Sequence, residues 1–249
     1  MASIEVSQLS KRFVLQHDQP RLFQDLALSL FRHRVREGHQ RHEEFWALSG
    51  ISFAVERGES LALIGKNGSG KSTCLKLLAG IMQPTSGSVK MQGRISALIE
   101  LGAGFHPELT GKDNLFVNGI ILGMTRSELK QRFDEIVAFA ELEHFIDIPV
   151  KFYSSGMYLR LAFAIAINVN ADIMLLDEVL AVGDQSFQAK CLERISELKR
   201  NGVTIVFVSH DLNAVRTLCQ RTIWLDHGKL CADSNTETVI ADYNKSSLS

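Results

Sequence analysis

Two kinds of apolar pattern along the chain predict two kinds of β-strand. Residues 3–9 and 51–55 alternate apolar and polar side chains, which is the period-2 pattern of strands with one buried face. Residues 60–64, 173–176 and 203–208 are instead continuous aliphatic or β-branched runs, typical of buried strands in a parallel sheet. We therefore predict an α/β fold with a mainly parallel core sheet and an antiparallel β subdomain.

Helical patterns fill the segments between these runs. An apolar helix is predicted over 74–79, directly after a glycine-rich turn. Thr125-Arg-Ser-Glu128 matches a capping box, which marks the start of a helix. The apolar residues that follow it share one helical face: Leu129, Phe133, Ile136, Val137 and Ala140. We predict a helical subdomain at about 112–160 within a single domain that spans 1–249.

Composition excludes several classes of protein. The 249 residues are 45% hydrophobic, which is enough to bury the core of one large domain. A net charge of −1 gives no overall basic field, so nucleic acid is not an expected partner. The longest uncharged runs, 115–125 and 161–171, are about half the length of a bilayer-spanning helix. The N-terminal residues lack the pattern of a secretory signal, so we expect a cytosolic chain. The four cysteines have no paired spacing and are interpreted as packing residues, with no metal site proposed at them.

A phosphate-binding motif occupies residues 65–72, where Gly-Lys-Asn-Gly-Ser-Gly-Lys-Ser matches G-x-x-x-x-G-K-[ST] at every fixed position. Its glycines allow the backbone to turn N–H groups toward a polyphosphate. Lys71 is expected to reach the β- and γ-phosphates, and the Ser72 hydroxyl to bind Mg²⁺. A chance match in a glycine-rich turn is the alternative, and the flanking strand and helix disfavour it. The predicted ATP-binding residues here are Gly65, Lys66, Asn67, Gly68, Ser69, Gly70, Lys71, Ser72 and Thr73.

Two acids, Asp177 and Glu178, follow the buried run at 173–176. Carboxylates at the end of a buried strand are costly unless they have a partner. Asp177 is expected to interact with Mg²⁺, and Glu178 to polarise the water that attacks the γ-phosphate. Such acids can also serve as helix caps, but the phosphate-binding motif favours the catalytic interpretation.

A third segment resembles the signature of the ATP-binding cassette superfamily. Tyr153-Ser-Ser-Gly-Met lies between the two ATP motifs, where that family usually has Leu-Ser-Gly-Gly-Gln. Ser155 thus replaces a glycine and Met157 a glutamine, whereas Ser154 and Gly156 keep the parts that contact the γ-phosphate in the family. The resemblance covers nearly the whole chain and implies a P-loop NTPase with the ATP-binding cassette fold.

The same resemblance implies roles for further residues. His210, after the run at 203–208, is similar to the switch histidine that hydrogen-bonds the γ-phosphate. Asp184 is similar to the loop that joins the two halves of the dimer. The family's Mg²⁺-sensing glutamine is missing from 95–104, and Glu100 is the expected substitute. The adenine-stacking aromatic is expected to be Phe13, with Trp46 as the alternative.

A narrower resemblance concerns the subfamily. Residues 100–111, 153–158 and 177–184 look like those of ATPase subunits that export bacterial O-antigen, capsule or teichoic acid. Some of those ATPases have an additional C-terminal carbohydrate-binding domain, which we do not expect here. An importer ATPase for a small solute and a soluble ATPase without a membrane partner are the alternatives.

The resemblance also implies partners and a place in the cell. The signature of one subunit is expected to cover the nucleotide that a second copy binds, so the chain would work as a homodimer with Mg²⁺ and ATP. A polytopic transmembrane permease would convert the closure of this dimer into movement of a lipid-linked polysaccharide. The chain would then lie peripherally on the cytoplasmic face of the bacterial inner membrane.

Residues 16–44 form an insertion between the first two strands. Pro20 can open a helix, and the apolar residues after it fall along one face: Leu22, Phe23, Leu26, Leu30 and Phe31. A basic end follows, with Arg32, His33, Arg34 and Arg36. This amphipathic helix is expected either to cover its own core or to lie at the membrane surface beside the permease.

Overall fold

The computed structural model describes residues 2–16, 42–99, 101–177 and 183–247. Its elements are β1 (Ala2–Gln16), β2 (His42–Glu56), β3 (Ser60–Ile64), α1 (Lys71–Leu78), β4 (Ser86–Met91), β5 (Ile95–Leu98), α2 (Gly111–Ile121), α3 (Arg126–Ala140), a 3₁₀ turn (Val150–Phe152), α4 (Ser155–Ile167), β6 (Ile173–Asp177), α5 (Gln185–Arg200), β7 (Thr204–Val208), α6 (Leu212–Leu218), β8 (Arg221–Asp226), β9 (Lys229–Asn235) and α7 (Thr236–Ser247). The predicted α/β fold class is confirmed.

The core sheet has the strand order β5-β6-β7-β3-β8-β9, parallel except for the antiparallel pair β8–β9. Its central strands are buried on both faces, which explains their continuous apolar sequences. In β3, for example, Ala62 and Ile64 pack in one apolar cluster, and Leu61 and Leu63 pack in another on the opposite face. Because β3, β6 and β7 are parallel neighbours, the loops that follow them meet at one edge of the sheet.

The second sheet is antiparallel, with the order β2-β1-β4. Its apolar face packs with α1 against β3, and Ile4, Leu9 and Ile51 are buried there. The alternation that predicted β1 is interrupted by a bulge at Gln8, whose φ is 48° and whose N–H donates to Ser52 Oγ.

The two ends of the predicted insertion at 16–44 extend the first two strands. β1 and β2 stay paired out to Gln16 and His42, so residues 16 and 42–44 belong to strands. Their pairing continues because the two strands form one long antiparallel ribbon. The predicted amphipathic helix at 20–31 and its basic end lie outside the described residues.

The helices α2, α3 and α4 share a third apolar cluster. The capping box predicted at the start of α3 is confirmed: Thr125 Oγ1 accepts from the Glu128 N–H, and the Glu128 carboxylate accepts from the Thr125 N–H. The Thr125 N–H, followed by the Thr125 hydroxyl, lowers the pKa of Glu128, because both groups donate to the carboxylate and favour its ionised form. α4 continues beyond 160, and its Phe163 and Ile167 pack under the core sheet. One rigid helix therefore connects the signature segment to the core.

Candidate ATP-binding site

The phosphate loop lies at the edge of the core sheet, between β3 and α1. Lys71 is buried, and its ammonium donates to the carbonyl oxygens of Gly65 at 2.8 Å and Lys66 at 3.0 Å. The loop thus holds a cation at its centre. The Ser69 hydroxyl is only 3% exposed and, among the described residues, has no hydrogen-bond partner. A buried hydroxyl in this position can donate to an anion that enters the loop.

Two glycines of the loop are required by close packing as well as by conformation. Gly70 has a φ of 103°, and a Cβ there would lie 2.4 Å from the Ala47 carbonyl oxygen. A Cβ on Gly65 would lie 2.2 Å from the Leu225 carbonyl oxygen. Gly68 differs, because its φ is 80° but a Cβ would meet no atom within 4 Å. β2 and β8 therefore support the loop from both sides.

Asp177 and His210 lie beside this loop through strand pairing. Asp177 pairs with Val208 in the parallel register between β6 and β7, so His210 follows two residues beyond that rung. Ser72 Oγ and Asp177 Oδ1 are 3.5 Å apart, although 105 residues separate them in sequence. A hydroxyl and a carboxylate at this separation suit a hard divalent cation such as Mg²⁺, which prefers oxygen ligands. Glu178, predicted next to Asp177, lies outside the described residues.

The signature segment begins α4. Ser154 is the N-cap, and its hydroxyl accepts from the Met157 N–H at 3.1 Å. The N–H groups of Ser155 and Gly156 have no partner within the helix, because the first turn of an α-helix leaves them unsatisfied. The nearest atom to a Cβ on Gly156 would be Ser154 Oγ at 3.8 Å, so this chain alone does not require a glycine here. Met157, which replaces the family's glutamine, packs against the helical cluster.

The predicted dimer-loop residue Asp184 caps α5. Its Oδ1 accepts from the Phe187 N–H at 3.0 Å and from Ser186 Oγ at 2.8 Å, and its Oδ2 accepts from Arg160 at 2.7 Å. The Phe187 N–H, followed by the Ser186 hydroxyl and then the Arg160 charge, holds the pKa of Asp184 below its ordinary value. Asp184 therefore stays ionised in this fold.

The two candidate adenine-stacking residues occupy neighbouring rungs of the β1–β2 ladder. Phe13 pairs with Phe45, and Arg12 pairs with Trp46. The Lys11 ammonium lies 5.4 Å from the centroid of the Phe13 ring, and Trp46 is 44% exposed. The adenine-stacking role of Phe13 stays a prediction. Glu100, the other predicted Mg²⁺ ligand, lies outside the described residues.

One residue that supports the phosphate loop was not predicted from the sequence. The N–H of Gly228, in the β8–β9 turn, donates to the Ser69 carbonyl at 3.1 Å. A Cβ on Gly228 would lie 2.8 Å from the Ala47 carbonyl oxygen, so the turn, the loop and β2 are packed tightly together. The Asp226-His-Gly sequence is a turn signal, but nothing local indicates that this turn touches the phosphate loop.

A strand, a glycine loop around a buried lysine and a strand-end aspartate beside a helix-start serine define a P-loop nucleoside triphosphatase. Comparison with known proteins narrows the class. Residues 48–181 match the family model of the ABC transporter. This chain belongs to the ABC transporter family, and it is an ATPase.

Two bacterial relatives are similar over different lengths. The chain is 44% identical to the O-antigen export system ATP-binding protein RfbB of Klebsiella pneumoniae, and the match covers 97% of both chains. It is 52% identical over 199 residues to the protein of the same name from Myxococcus xanthus, of whose length it spans 46%. Among solved structures, a dimeric ATP-binding cassette in a post-hydrolysis state with ADP and Pi superimposes with a TM-score of 0.73. That match is 23% identical and covers 94% of this chain and 98% of the other, so it supports the fold alone.

Proposed function

We propose that this chain is the ATP-hydrolysing subunit of a bacterial exporter that moves a lipid-linked surface polysaccharide, O-antigen, across the inner membrane. The observation that carries this proposal is the 44% identity over 97% of both chains to a Klebsiella protein named for O-antigen export. The phosphate loop, the strand-end Asp177 and the signature segment supply the ATPase part of this function.

ATP binding depends on the loop at 65–73. The triphosphate takes up the position that the loop encloses, where the Lys71 ammonium and the Ser69 hydroxyl are donors. Ser72 and Asp177, with Glu100 as a further predicted ligand, would hold Mg²⁺, which neutralises part of the phosphate charge when bound. Phe13 stacks on the adenine.

Hydrolysis depends on two residues at the ends of neighbouring strands. Glu178 follows Asp177 directly, so it is the general base that takes a proton from the attacking water. His210 follows β7, the strand next to β6, and donates a hydrogen bond to the γ-phosphate. Both act at the same edge of the sheet because parallel strands end there together.

A second copy of the chain completes the site. The free N–H groups at the start of α4 form an anion site, and Gly156 leaves room for a phosphate to approach them. The signature packs in the helical cluster, whereas α1 packs between the sheets, so the two ATP-contacting segments belong to different layers of one chain. Two ATP molecules bridging two copies would close a homodimer, and hydrolysis would open it.

A membrane permease is the second partner. Within the described residues, no helix is both long and apolar enough to cross a bilayer. An apolar groove of about 490 Å³ lies between α2, α4 and β5. Its rim carries Ile81 and Ile121, which are more than half exposed. We assign this groove to a cytoplasmic segment of the permease, and we infer that the chain lies peripherally at the inner face of the membrane.

The test of export uses a bacterium from which the gene has been removed. The wild-type gene should restore surface polysaccharide, and the Glu178→Gln gene should instead leave lipid-linked glycan inside the cell. The tagged chain should co-purify with a polytopic membrane protein. Normal surface glycan in the deletion strain, together with loss of uptake of a small solute, would favour an importer; purification without any membrane protein would favour a soluble ATPase.

The test of the site uses the purified chain. Glu178→Gln keeps the side-chain volume but removes the base, so turnover should fall by about a hundredfold or more, the scale of a lost general base. The variant should also elute at twice the monomer mass in ATP and Mg²⁺. Near-normal turnover would remove Glu178 from the mechanism.

A further inference from the structure

Arg160 joins three segments of the chain that lie far apart in sequence. It is on α4, six residues after the Ser154 cap, and its side chain is 18% exposed. One terminal nitrogen is 2.6 Å from the Glu141 carboxylate, and the other is 2.7 Å from Asp184. Its guanidinium lies 4.9 Å from the centroid of the Phe187 ring on α5. The residue therefore holds α4 to the end of α3 and to the start of α5.

The chemistry of arginine is needed for this arrangement. A planar guanidinium has donors on two separate nitrogens, so it can bind two carboxylates from different segments at once, whereas an ammonium is a single point charge. Glu141 is held in the left-handed conformation at the end of α3, with φ 59°. Asp184 is fixed by the helix cap on α5. Each acceptor thus has a further contact besides Arg160, since Glu141 also pairs with Lys190 at 3.3 Å and Asp184 caps α5.

The backbone of the dimer loop also packs against this side chain. Gly183 has a φ of 73°, and a Cβ there would lie 3.4 Å from Arg160 Nε. The nearest atoms to such a Cβ belong to Phe187, at 3.2 Å, so Gly183 lies in the space between Phe187 and Arg160. Since an α-helix is rigid over two turns, the position of Arg160 also sets that of the signature at its start.

We propose that Arg160 is a positioning residue that makes the signature helix and the dimer loop move as one body when two copies close on ATP. This inference rests on the proposed homodimeric ATPase. Arg160 contacts neither the phosphate loop nor α1 in the contacts described above, so its loss should affect the closing of the dimer and not the first binding of nucleotide.

Arg194 provides a matched control. It also pairs with two carboxylates, Glu135 at 3.3 Å and Glu197 at 2.9 Å, and its side chain is 27% exposed. It also contacts Asn168, at 3.2 Å, so it secures the opposite, C-terminal end of α4. A role in general stability would be shared by both arginines, whereas a role in positioning the signature belongs to Arg160.

The experiment compares Arg160→Gln, Arg160→Lys and Arg194→Gln. For Arg160→Gln we expect kcat to fall about tenfold, and the ATP concentration for half-maximal dimerisation in the Glu178→Gln background to rise about tenfold, the scale of coupling between sites. The affinity of the monomer for a fluorescent ATP analogue, mant-ATP, should stay within about twofold. Arg160→Lys should fall between wild type and Arg160→Gln, because lysine keeps the charge but lacks the two separate donor nitrogens that contact Glu141 and Asp184.

Three results would overturn the assignment. The first is wild-type dimerisation and kcat in Arg160→Gln. The second is a loss of dimerisation and kcat in Arg194→Gln that equals the loss in Arg160→Gln. The third is a loss of mant-ATP affinity in Arg160→Gln that parallels its loss of kcat. If Glu178→Gln alone stays monomeric in ATP and Mg²⁺, the homodimer proposal fails. In that case the positioning role of Arg160 is tested by comparing the change in kcat with the change in mant-ATP affinity. An unchanged kcat in Arg160→Gln would then reject that role.

Discussion

The packing of the phosphate loop on β2 predicts that two neighbouring glycines respond differently to the same substitution. Gly70→Ala places a methyl group 2.4 Å from the Ala47 carbonyl oxygen and 2.8 Å from Leu48 Cδ2. Gly68→Ala, two residues earlier in the same loop, meets no atom within 4 Å. Both glycines have positive φ, at 103° and 80°, so both variants carry backbone strain.

The magnitudes follow from these contacts. Strain of a side chain in the left-handed region costs about 1–2 kcal/mol, which is the whole expected cost for Gly68→Ala. Forcing a methyl group into a packed site adds about 1–3 kcal/mol, so Gly70→Ala should cost about 2–5 kcal/mol in all. The Ala47 carbonyl is backbone on a buried strand and cannot move aside easily. Any relief must come from shifting the loop, which displaces the N–H groups that we expect to bind the phosphates.

Two measurements check this prediction. Urea unfolding, followed by the fluorescence of the two tryptophans, gives the free energy of unfolding of each variant. Titration with mant-ATP gives the affinity of the loop. Gly70→Ala should lose both stability and affinity, and Gly68→Ala should lose less stability. Equal losses of stability in the two variants, or an unchanged Gly70→Ala, would refute the reasoning.

Three further predictions concern other parts of the site and core. Lys71→Ala should abolish tight ATP binding in an equilibrium titration, and unaltered affinity would contradict the phosphate-loop assignment. At pH 8 a maleimide should label Cys231 in the folded chain, because Cys231 is exposed and the other three cysteines are buried. Burial also raises the pKa of each of those three thiols to about 12. Mass spectrometry measures the number of labels, and labelling of a second cysteine without unfolding would contradict the prediction. Folding lowers the pKa of Asp184, so its ionised carboxylate stabilises the fold at pH values above the ordinary pKa of 3.8. This stabilisation is lost as the pH falls through the lower pKa of the folded state. Asp184→Asn, which keeps a capping oxygen, should therefore be less stable than wild type at pH 7 and should approach it in acid-unfolding experiments; a constant difference would count against the ion's role.

The order of strands shows where local patterns are informative and where they are not. Continuous apolar runs indicated β3, β6 and β7, because strands buried on both faces need apolar residues at every position. The exposed β9, whose residues are largely polar, gave no such pattern. An edge strand is fixed by its pairing with β8, which no local sequence specifies.

The residues of the candidate site also differ in how far a local pattern identifies them. The segment at 65–72 could be identified from sequence because its function depends on the conformation of consecutive residues. The signature and the roles of His210 and Asp184 required a family resemblance, since a short Ser-Ser-Gly segment or a single histidine is not specific by itself.

The sequence alone predicted the fold class, the glycine loop after β3 and the aspartate at the end of β6, since each depends on neighbouring residues. Tertiary structure alone decided that Ser72 meets Asp177 across 105 residues and that Arg160 bridges Glu141 and Asp184. It also decided that the β8–β9 turn supports the phosphate loop. Such contacts depend on which strands are neighbours and on how closely layers pack. Those properties belong to the whole chain, and no short segment contains them.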